Sequence, residues 1–239
     1  KSPASNLTAN FNIKHDFERK GASITFDADY SGFGNERNET FNAAYLDANN
    51  QLSNTTLLRN GNETKIDVFA AKTDYSFPIS ANLNLEAGLK TSYVTTKNDF
   101  LAERFLNNAW ENNVGQSNNF VYKENINAAY FSLAKKWNKW EAQVGLRAEN
   151  TNAKGNSITS QQTFDRNYLS LFPTVFISQN INKNNSLRYA YGRRVDRPSY
   201  QQLNPFVFYM DPFAFDTGNP LLKPMFTDNF EVSYSYKNA

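Results

Sequence analysis

The segment WEAQVGLRAEN, residues 140–150, alternates apolar and polar side chains over its whole length. The first set comprises Trp140, Ala142, Val144, Leu146 and Ala148, and the second comprises Glu141, Gln143, Gly145, Arg147 and Glu149. Successive side chains of a β-strand point to opposite faces of the sheet. The segment therefore predicts a strand with one apolar face and one charged face.

The same alternation recurs along the chain and predicts nine strands. Their approximate ranges are 6–16, 22–31, 63–77, 82–97, 121–135, 140–151, 165–180, 187–196 and 227–237. No helical period is sustained, and no apolar run approaches the roughly 18 residues that a membrane-spanning helix needs. Pro173 falls inside one predicted strand and cannot donate to its ladder, so we expect a bulge there or a position above the membrane.

The predicted connections alternate in length. Short turns fall at 18–21, 78–81, 136–139 and 181–186, and long polar stretches at 32–62, 98–120, 152–164 and 197–226. The first long stretch has room for an additional hairpin. Short turns at one end and long loops at the other are typical of outer-membrane barrels, with the short turns in the periplasm and the long loops outside.

Composition argues against several functional classes. The 239 residues carry a net charge of only +2, which does not favour nucleic acid as a partner. The absence of cysteine and the single histidine, His15, leave no plausible zinc site and no good serine–histidine–aspartate candidate. The sequence also has no glycine-rich phosphate loop in a strand–helix context. We therefore predict neither an enzyme nor a cofactor.

Alternation alone fits two kinds of sheet. In a soluble β-sandwich or carbohydrate-binding module the apolar face forms the core, whereas in a membrane barrel it faces lipid. Long loops on one side and aromatic residues at strand ends favour the membrane. We therefore expect lipid contact at Leu85, Leu89, Val144, Leu146 and Tyr234, and a lumen lined by Glu86, Lys90, Arg147 and Glu231.

The second half of the chain carries a family resemblance. The stretches YLSLFPTVFIS (168–178), LRYAYGRRVDRPSYQQLNPF (187–206) and DTGNPLLKPMFTDNFEVSYSY (216–236) resemble the barrel of TonB-dependent outer-membrane receptors, in particular the outer-membrane β-barrel group common in Bacteroidota. The motif residues are Arg197, Pro198, Gly218, Asn219, Pro220, Lys223 and Pro224.

The resemblance implies an all-β, antiparallel, up-and-down transmembrane β-barrel of roughly 22 strands in the bacterial outer membrane. Residues 1–239 are expected to form part of it, with the plug domain and the C-terminal strands lying outside this chain. The expected partners are outer-membrane lipid and lipopolysaccharide, the rest of the barrel and its plug, the TonB complex, and a small-molecule, glycan or peptide ligand such as a siderophore or cobalamin. The alternative is a barrel that serves secretion, assembly or adhesion without import.

Candidate site residues cluster around the last long stretch. The candidates for contact with the ligand are Arg194, Arg197, Tyr200, Tyr209, Asp211, Asn219 and, from the second long stretch, Trp110. Arg197 is expected to hold the loop to the end of its strand. Arg193 shares the apolar face of its strand, so we expect it at the outer rim, where it would bind lipopolysaccharide phosphates.

Overall fold

The computed structural model describes residues 3–211 and 214–237, and the side chains of 209–211 lie outside that description. Strands dominate this part of the chain. They are β1 (Ala4–Asp16), β2 (Ser23–Leu46), β3 (Leu52–Ser80), β4 (Leu83–Leu106), β5 (Ala109–Asn112), β6 (Asn118–Trp137), β7 (Trp140–Ser157), β8 (Gln162–Asn180), β9 (Asn185–Asp196), β10 (Val207–Asp211), β11 (Ala214–Thr217) and β12 (Met225–Tyr236). A 3-10 turn (Val114–Gln116) and one helix, α1 (Tyr200–Leu203), complete the set.

One antiparallel sheet holds all of these strands except β10 and β11. Its order is β1-β2-β3-β4-β6-β7-β8-β9-β12, and the short β5 pairs with β4. Apart from the short strands β5, β10 and β11, each strand thus pairs with the next along the chain, which confirms the predicted all-β, up-and-down fold. β1 and β12 form the two edges of the described sheet. Among the described residues, no helix is long and apolar enough to cross a membrane.

The strand register sorts the side chains onto two faces. On the polar face, Asp27 lies opposite Lys72 and Lys72 opposite Lys90, while Tyr130 lies opposite Arg147. On the other face, Leu133 lies opposite Val144 and Val144 opposite Val175. The apolar face is widely exposed in this structure, with Leu89 at 59% and Val232 at 66% of their maximal exposure. The predicted division into one charged and one apolar face is therefore present across the sheet.

The turns at one end of the sheet are short. Trp137 and Trp140 pair across the two-residue turn between β6 and β7. Asn138 in that turn has a φ of 49°, a conformation that asparagine tolerates better than most residues. Two tryptophans at the end of a hairpin are typical of an aromatic girdle at a membrane interface.

At the other end, the prediction of long loops was wrong for three of the four stretches. Strand β2 continues to Leu46 and β3 begins at Leu52. Residues 32–62 are therefore almost entirely one long hairpin rather than a loop with a separate hairpin. Stretches 98–120 and 152–164 are likewise mostly strand. Both faces of these strand extensions carry polar residues, so the alternation disappears from the sequence while the backbone pairing continues.

Pro173 causes no bulge, which was one of the two alternatives expected from sequence. It lies opposite Leu146 in an unbroken β7–β8 register. The pairing of β8 with β9 begins at Asn180 and stops at Thr174, directly beside Pro173. Beyond that point β9 pairs only with β12, so the wall opens between β8 and β9.

The first prediction concerns the two faces. Replacing Val144 with Arg in the whole protein should destabilise a barrel in lipid by about 2–4 kcal/mol, because a charge near the bilayer midplane is costly. Replacing the adjacent Gln143, which faces the other side, with Arg should have an effect of less than about 1 kcal/mol. Equilibrium unfolding from lipid vesicles measures both changes. Equal destabilisation by the two variants would contradict the assignment of the faces.

Candidate functional site

The segment 197–224, here called the inner loop, covers part of the polar face. It contains α1 and the β10–β11 hairpin. Leu203 of α1 is 2% exposed and packs with Phe120, Tyr122 and Ala153. These three residues lie on the polar face of β6 and β7. The last long stretch therefore folds inward onto the sheet instead of projecting away from it.

The inner loop begins with a capped helical turn. Ser199 Oγ accepts a hydrogen bond from the Gln202 backbone N–H at 3.3 Å, and the Gln202 side-chain oxygen accepts one from the Ser199 N–H at 2.9 Å. This reciprocal arrangement is a capping box, which satisfies two backbone donors at the start of a helix. It lets the chain turn sharply directly after Pro198, where the strand has ended.

An ion-pair network anchors this turn to the wall. Arg197 Nη2 lies 2.5 Å from Glu149 Oε2, and Arg147 Nε lies 2.6 Å from Glu149 Oε1. Glu149 is only 8% exposed. Burial, the largest single effect, lowers the pKa of Arg197, but the hydrogen bonds and charge attraction of Glu149 and Tyr168 together outweigh it and leave the pKa above its ordinary value. The contact joins the start of the inner loop to β7, and the role of Arg197 in holding the loop stays a prediction.

The far end of the inner loop packs on α1 through a close backbone approach. The Gly218 N–H donates to the Asn204 carbonyl at 2.9 Å, and the Asn219 N–H donates to the Gln202 carbonyl at 2.7 Å. A Cβ at Gly218 would lie 2.5 Å from the Asn204 oxygen. Only glycine fits at this position without displacing the backbone.

Asn219 and Pro220 complete the closure. The Asn219 side-chain oxygen accepts from the Leu221 N–H at 2.9 Å, which forms a local turn. The Arg166 guanidinium on β8 donates to the carbonyls of Pro220 and Leu222. The two halves of the sequence motif, 197–198 and 218–220, are therefore the two ends of one loop, and each end is fixed to the polar face by an arginine.

A pocket opens beside this anchor, where β8 and β9 separate. It has a volume of about 530 Å³. Its lining includes Tyr130, Arg147, Glu149, Phe172, Arg194 and Arg197. Arg193 lines it as well, so four arginines and one carboxylate give it an excess of positive charge. Arg194 is exposed and has no hydrogen-bond or ion-pair partner within the described residues, so it is available to an anionic group.

The structure brings together some of the predicted site residues but not all. Arg194 and Arg197 line the pocket, and Tyr200 packs against the Leu203 cluster. Trp110 lies elsewhere. Its ring centre is 5.4 Å from that of Phe105 and 4.5 Å from the guanidinium carbon of Arg59. Arg59 and Phe105 alternate with polar-face residues of β3 and β4, so Trp110 lies on the opposite side of the sheet.

Two further candidates, Tyr209 and Asp211, have side chains outside the described part of the structure. Arg193 does lie on the apolar face, where its guanidinium is 4.9 Å from the ring centre of Phe226. Asp228 is its cross-strand partner in β12 and also accepts a hydrogen bond from Tyr191 at 2.9 Å.

Sequence reasoning missed the partners that hold the inner loop. Arg147 was predicted only as part of the lumen lining and Glu149 only as a member of the charged face of its strand, and Arg166 was not singled out. Alternation in "FDRNYLS" does place Arg166 on the same face as Ser170, which was the available signal. The backbone carbonyls to which Arg166 donates lie 54 and 56 residues further along the sequence, so no local sequence pattern indicates these hydrogen bonds.

The side chains of the site suit the binding of an anion. No cluster of three or more histidine, cysteine or acidic side chains that could hold a metal ion occurs in the described ranges 3–211 and 214–237. Guanidinium groups beside aromatic rings recognise carboxylates and other anions. The pocket can therefore hold an acidic group presented from the interior side of the wall.

Residues 15–239 match the model of the outer membrane protein beta-barrel family. The chain belongs to this family. The bacterial outer membrane is therefore its location, which confirms the expectation from sequence. It follows that the apolar face contacts lipid and the polar face lines the lumen.

Solved structures of receptors share the fold at low sequence identity. The ferric-catecholate import receptor Fiu from E. coli matches 98% of this chain with a TM-score of 0.64 and 12% identity. The ferric yersiniabactin uptake receptor FyuA from Yersinia pestis matches 100% with a TM-score of 0.57 and 12% identity. The ferric citrate transporter FecA matches 80% with a TM-score of 0.54 and 10% identity.

This chain spans 38%, 35% and 27% of those three structures, respectively. It therefore corresponds to about a third of a receptor of that kind. No curated protein matches it in sequence.

The second prediction tests the closure of the inner loop. Replacing Gly218 with Ala introduces a methyl group against three carbonyl oxygens at 2.5–2.7 Å. We expect the cost, on the order of 1–2 kcal/mol, to loosen the loop and to raise amide hydrogen exchange at residues 218 and 219 by about tenfold. Gly115→Ala is the control, because its Cβ would meet nothing closer than 3.8 Å. Unchanged exchange in the Gly218 variant would contradict the close approach.

Proposed function

We propose that this chain forms part of the wall of a TonB-dependent receptor that imports a scarce ligand across the outer membrane. Family membership supports an outer-membrane barrel, and of the three similar structures two are import or uptake receptors and one is a ferric citrate transporter. The whole receptor would also contain a plug within the lumen and would take energy from the inner membrane through TonB.

The observation that carries the proposal is the arginine-rich pocket under the inner loop. Some lumen charges of this wall are paired internally, as Lys72 is with Asp27 at 3.4 Å and Asp74 at 3.6 Å. Arg194 is instead left unpaired at the opening between β8 and β9. Unpaired positive charge in a lumen attracts anionic solutes.

Among the ligand classes that the sequence leaves open, the pocket favours an anionic small molecule over a neutral glycan. Ferric complexes of carboxylate or catecholate ligands have this chemistry, and they are what the similar receptors carry. Arg194 would contact the ligand or an acidic side chain of the plug, and Arg197 would keep the inner loop in place through Glu149. A barrel for secretion, assembly or adhesion is the competing function.

The third prediction tests import directly. Cells that express the whole protein should accumulate radiolabelled iron from ferric citrate or from a ferric catecholate, and only when TonB is present. Arg194→Gln should lower this accumulation by about tenfold, since the loss of one charge-assisted contact costs about 1.4 kcal/mol. The barrel should remain folded, because Arg194 has no partner to lose within the described residues.

Arg188→Gln is the matched control. Arg188 also lies on the polar face of β9 and is exposed, but it lies near the short-turn end and does not line the pocket. Accumulation in this variant should equal that of the parent. Iron accumulation that does not depend on TonB would argue against the proposed import, and so would a failure to accumulate iron from both complexes. Either result would favour a barrel for secretion, assembly or adhesion.

A further inference from the structure

Above the apolar band, the lipid-facing side of the sheet carries a patch of asparagines. This amide patch consists of Asn125 and Asn127 on β6, Asn150 and Asn152 on β7, and Asn167 on β8. Asn127 lies opposite Asn150, and Asn152 lies opposite both Asn125 and Asn167, so all five share one face.

The amide groups of the patch are ordered by hydrogen bonds. Asn127 donates to Asn125 at 2.6 Å, Asn152 to Asn150 at 2.8 Å, and Asn150 to Asn167 at 2.9 Å. Each primary amide has two donor hydrogens and two acceptor lone pairs, so these bonds leave capacity for further partners.

A row of lysines lies on the same face beyond the amide patch. The row comes from four strands that are adjacent in the sheet, β3, β4, β6 and β7, and all of its members are exposed: Lys65, Lys97, Lys123 and Lys154. Lys65 lies directly opposite Lys97, and Lys123 lies directly opposite Lys154. Like charges in direct cross-strand pairs destabilise a sheet unless an opposite charge intervenes.

Carboxylates of this chain neutralise only half of the row. Glu63 lies 2.5 Å from Lys65, and Asp165 lies 2.8 Å from Lys154. Lys97 and Lys123 have no ion-pair partner among the residues that the structure describes, although they are neighbours on adjacent strands. The row thus presents two free ammonium groups to an anion from outside.

The height of these groups matches the outer surface of the membrane. Lys154 follows Trp140 by 14 residues on β7. At about 3.3 Å per residue and a tilt of about 40°, that places Lys154 roughly 35 Å above the aromatic end, and Asn150 roughly 25 Å above it. The apolar band of such barrels is about 25 Å tall, so the amide patch lies at its upper edge and the lysines lie just beyond.

We propose that this surface binds the phosphorylated glycolipid of the outer leaflet, lipopolysaccharide. The apolar band would contact its acyl chains, the amide patch its sugar hydroxyls, and Lys97 and Lys123 its phosphates. On the protein the apolar band is followed by the amide patch and the lysines, and along such a lipid the acyl chains are followed by phosphorylated sugars. An ordinary phospholipid has no sugar for the amide patch and carries a single phosphate, so it matches the surface less well.

This site differs from the one predicted at Arg193. Arg193 lies on β9 and already has Asp228 as its cross-strand neighbour, whereas Lys97 and Lys123 lie on β4 and β6 with no carboxylate partner within the described part of the chain. The proposal requires only the outer-membrane location and is independent of import.

The test is a titration of the whole detergent-solubilised protein with bisphosphorylated lipid A, followed by native mass spectrometry. The double variant Lys97→Gln/Lys123→Gln should bind about tenfold more weakly than the parent. The control is Lys135→Gln/Lys183→Gln, which also removes two exposed lysines but at the short-turn end. This control should bind as the parent does.

Two further arms identify the ligand chemistry. Dephosphorylated lipid A should bind the parent and the Lys97/Lys123 variant equally, whereas Asn127→Ala/Asn150→Ala should weaken binding of both forms of lipid A. Equal effects of the two lysine double variants would overturn the proposal. Binding of phosphatidylglycerol as tight as that of lipid A would also overturn it, in favour of a general attraction for anionic lipids.

Discussion

The whole structure depends on an uninterrupted antiparallel ladder with a strict side-chain period of two. In the hydrocarbon region no water is available to the backbone, so each N–H and C=O must find its partner on a neighbouring strand. The ladder supplies those partners from β1 to β12, and the register then fixes which side chains face lipid. A slip of one residue would move Arg147 and Glu149 into lipid and Val144 into the lumen. The charges of the polar face therefore stabilise the register as much as they serve any ligand.

One ion pair fixes the position of the inner loop on this wall. Strand β9 ends at Asp196, and the next residue places its guanidinium 2.5 Å from the buried carboxylate of Glu149. Removing one partner of a buried pair leaves an uncompensated charge, so this contact specifies where the loop lies. With Arg197 held there, the wall beside it opens between β8 and β9, and Arg194 is left facing the lumen without a partner among the described residues.

Sequence periodicity predicted the strands where the two faces differ and failed where they do not. Segment 140–150 alternates because one side meets lipid and the other meets the lumen, and its strand is found as predicted. Residues 32–46 form strand too, but both of their faces are polar, so the pattern carried no signal. Pro173 was expected at a bulge or above the membrane because it lacks a ladder donor, yet the β7–β8 register is unbroken there and the pairing of β9 with β8 stops beside it.

The site was predictable only in part, for a similar reason. The resemblance drew attention to Arg197 and Gly218, and the strand pattern placed Arg194 on the polar face. The partners of these residues depend on contacts between distant parts of the chain. Glu149 lies 48 residues before Arg197 in the sequence, and Gly218 meets the carbonyl of Asn204 only after α1 has turned the chain. Alternation gives the face of a residue but not its height along a neighbouring strand.

The central claim is that the apolar face meets lipid while the polar face lines a wet lumen. The most direct measurement is the accessibility of nitroxide spin labels placed one at a time at residues 140–150 of the whole protein in lipid vesicles. The native chain has no cysteine, so each label is unique within it. We expect a period of two, with collisions with oxygen highest at Ala142, Val144 and Leu146 and collisions with a water-soluble nickel chelate highest at Gln143, Gly145 and Arg147. The opposite phase, or no oscillation, would contradict it.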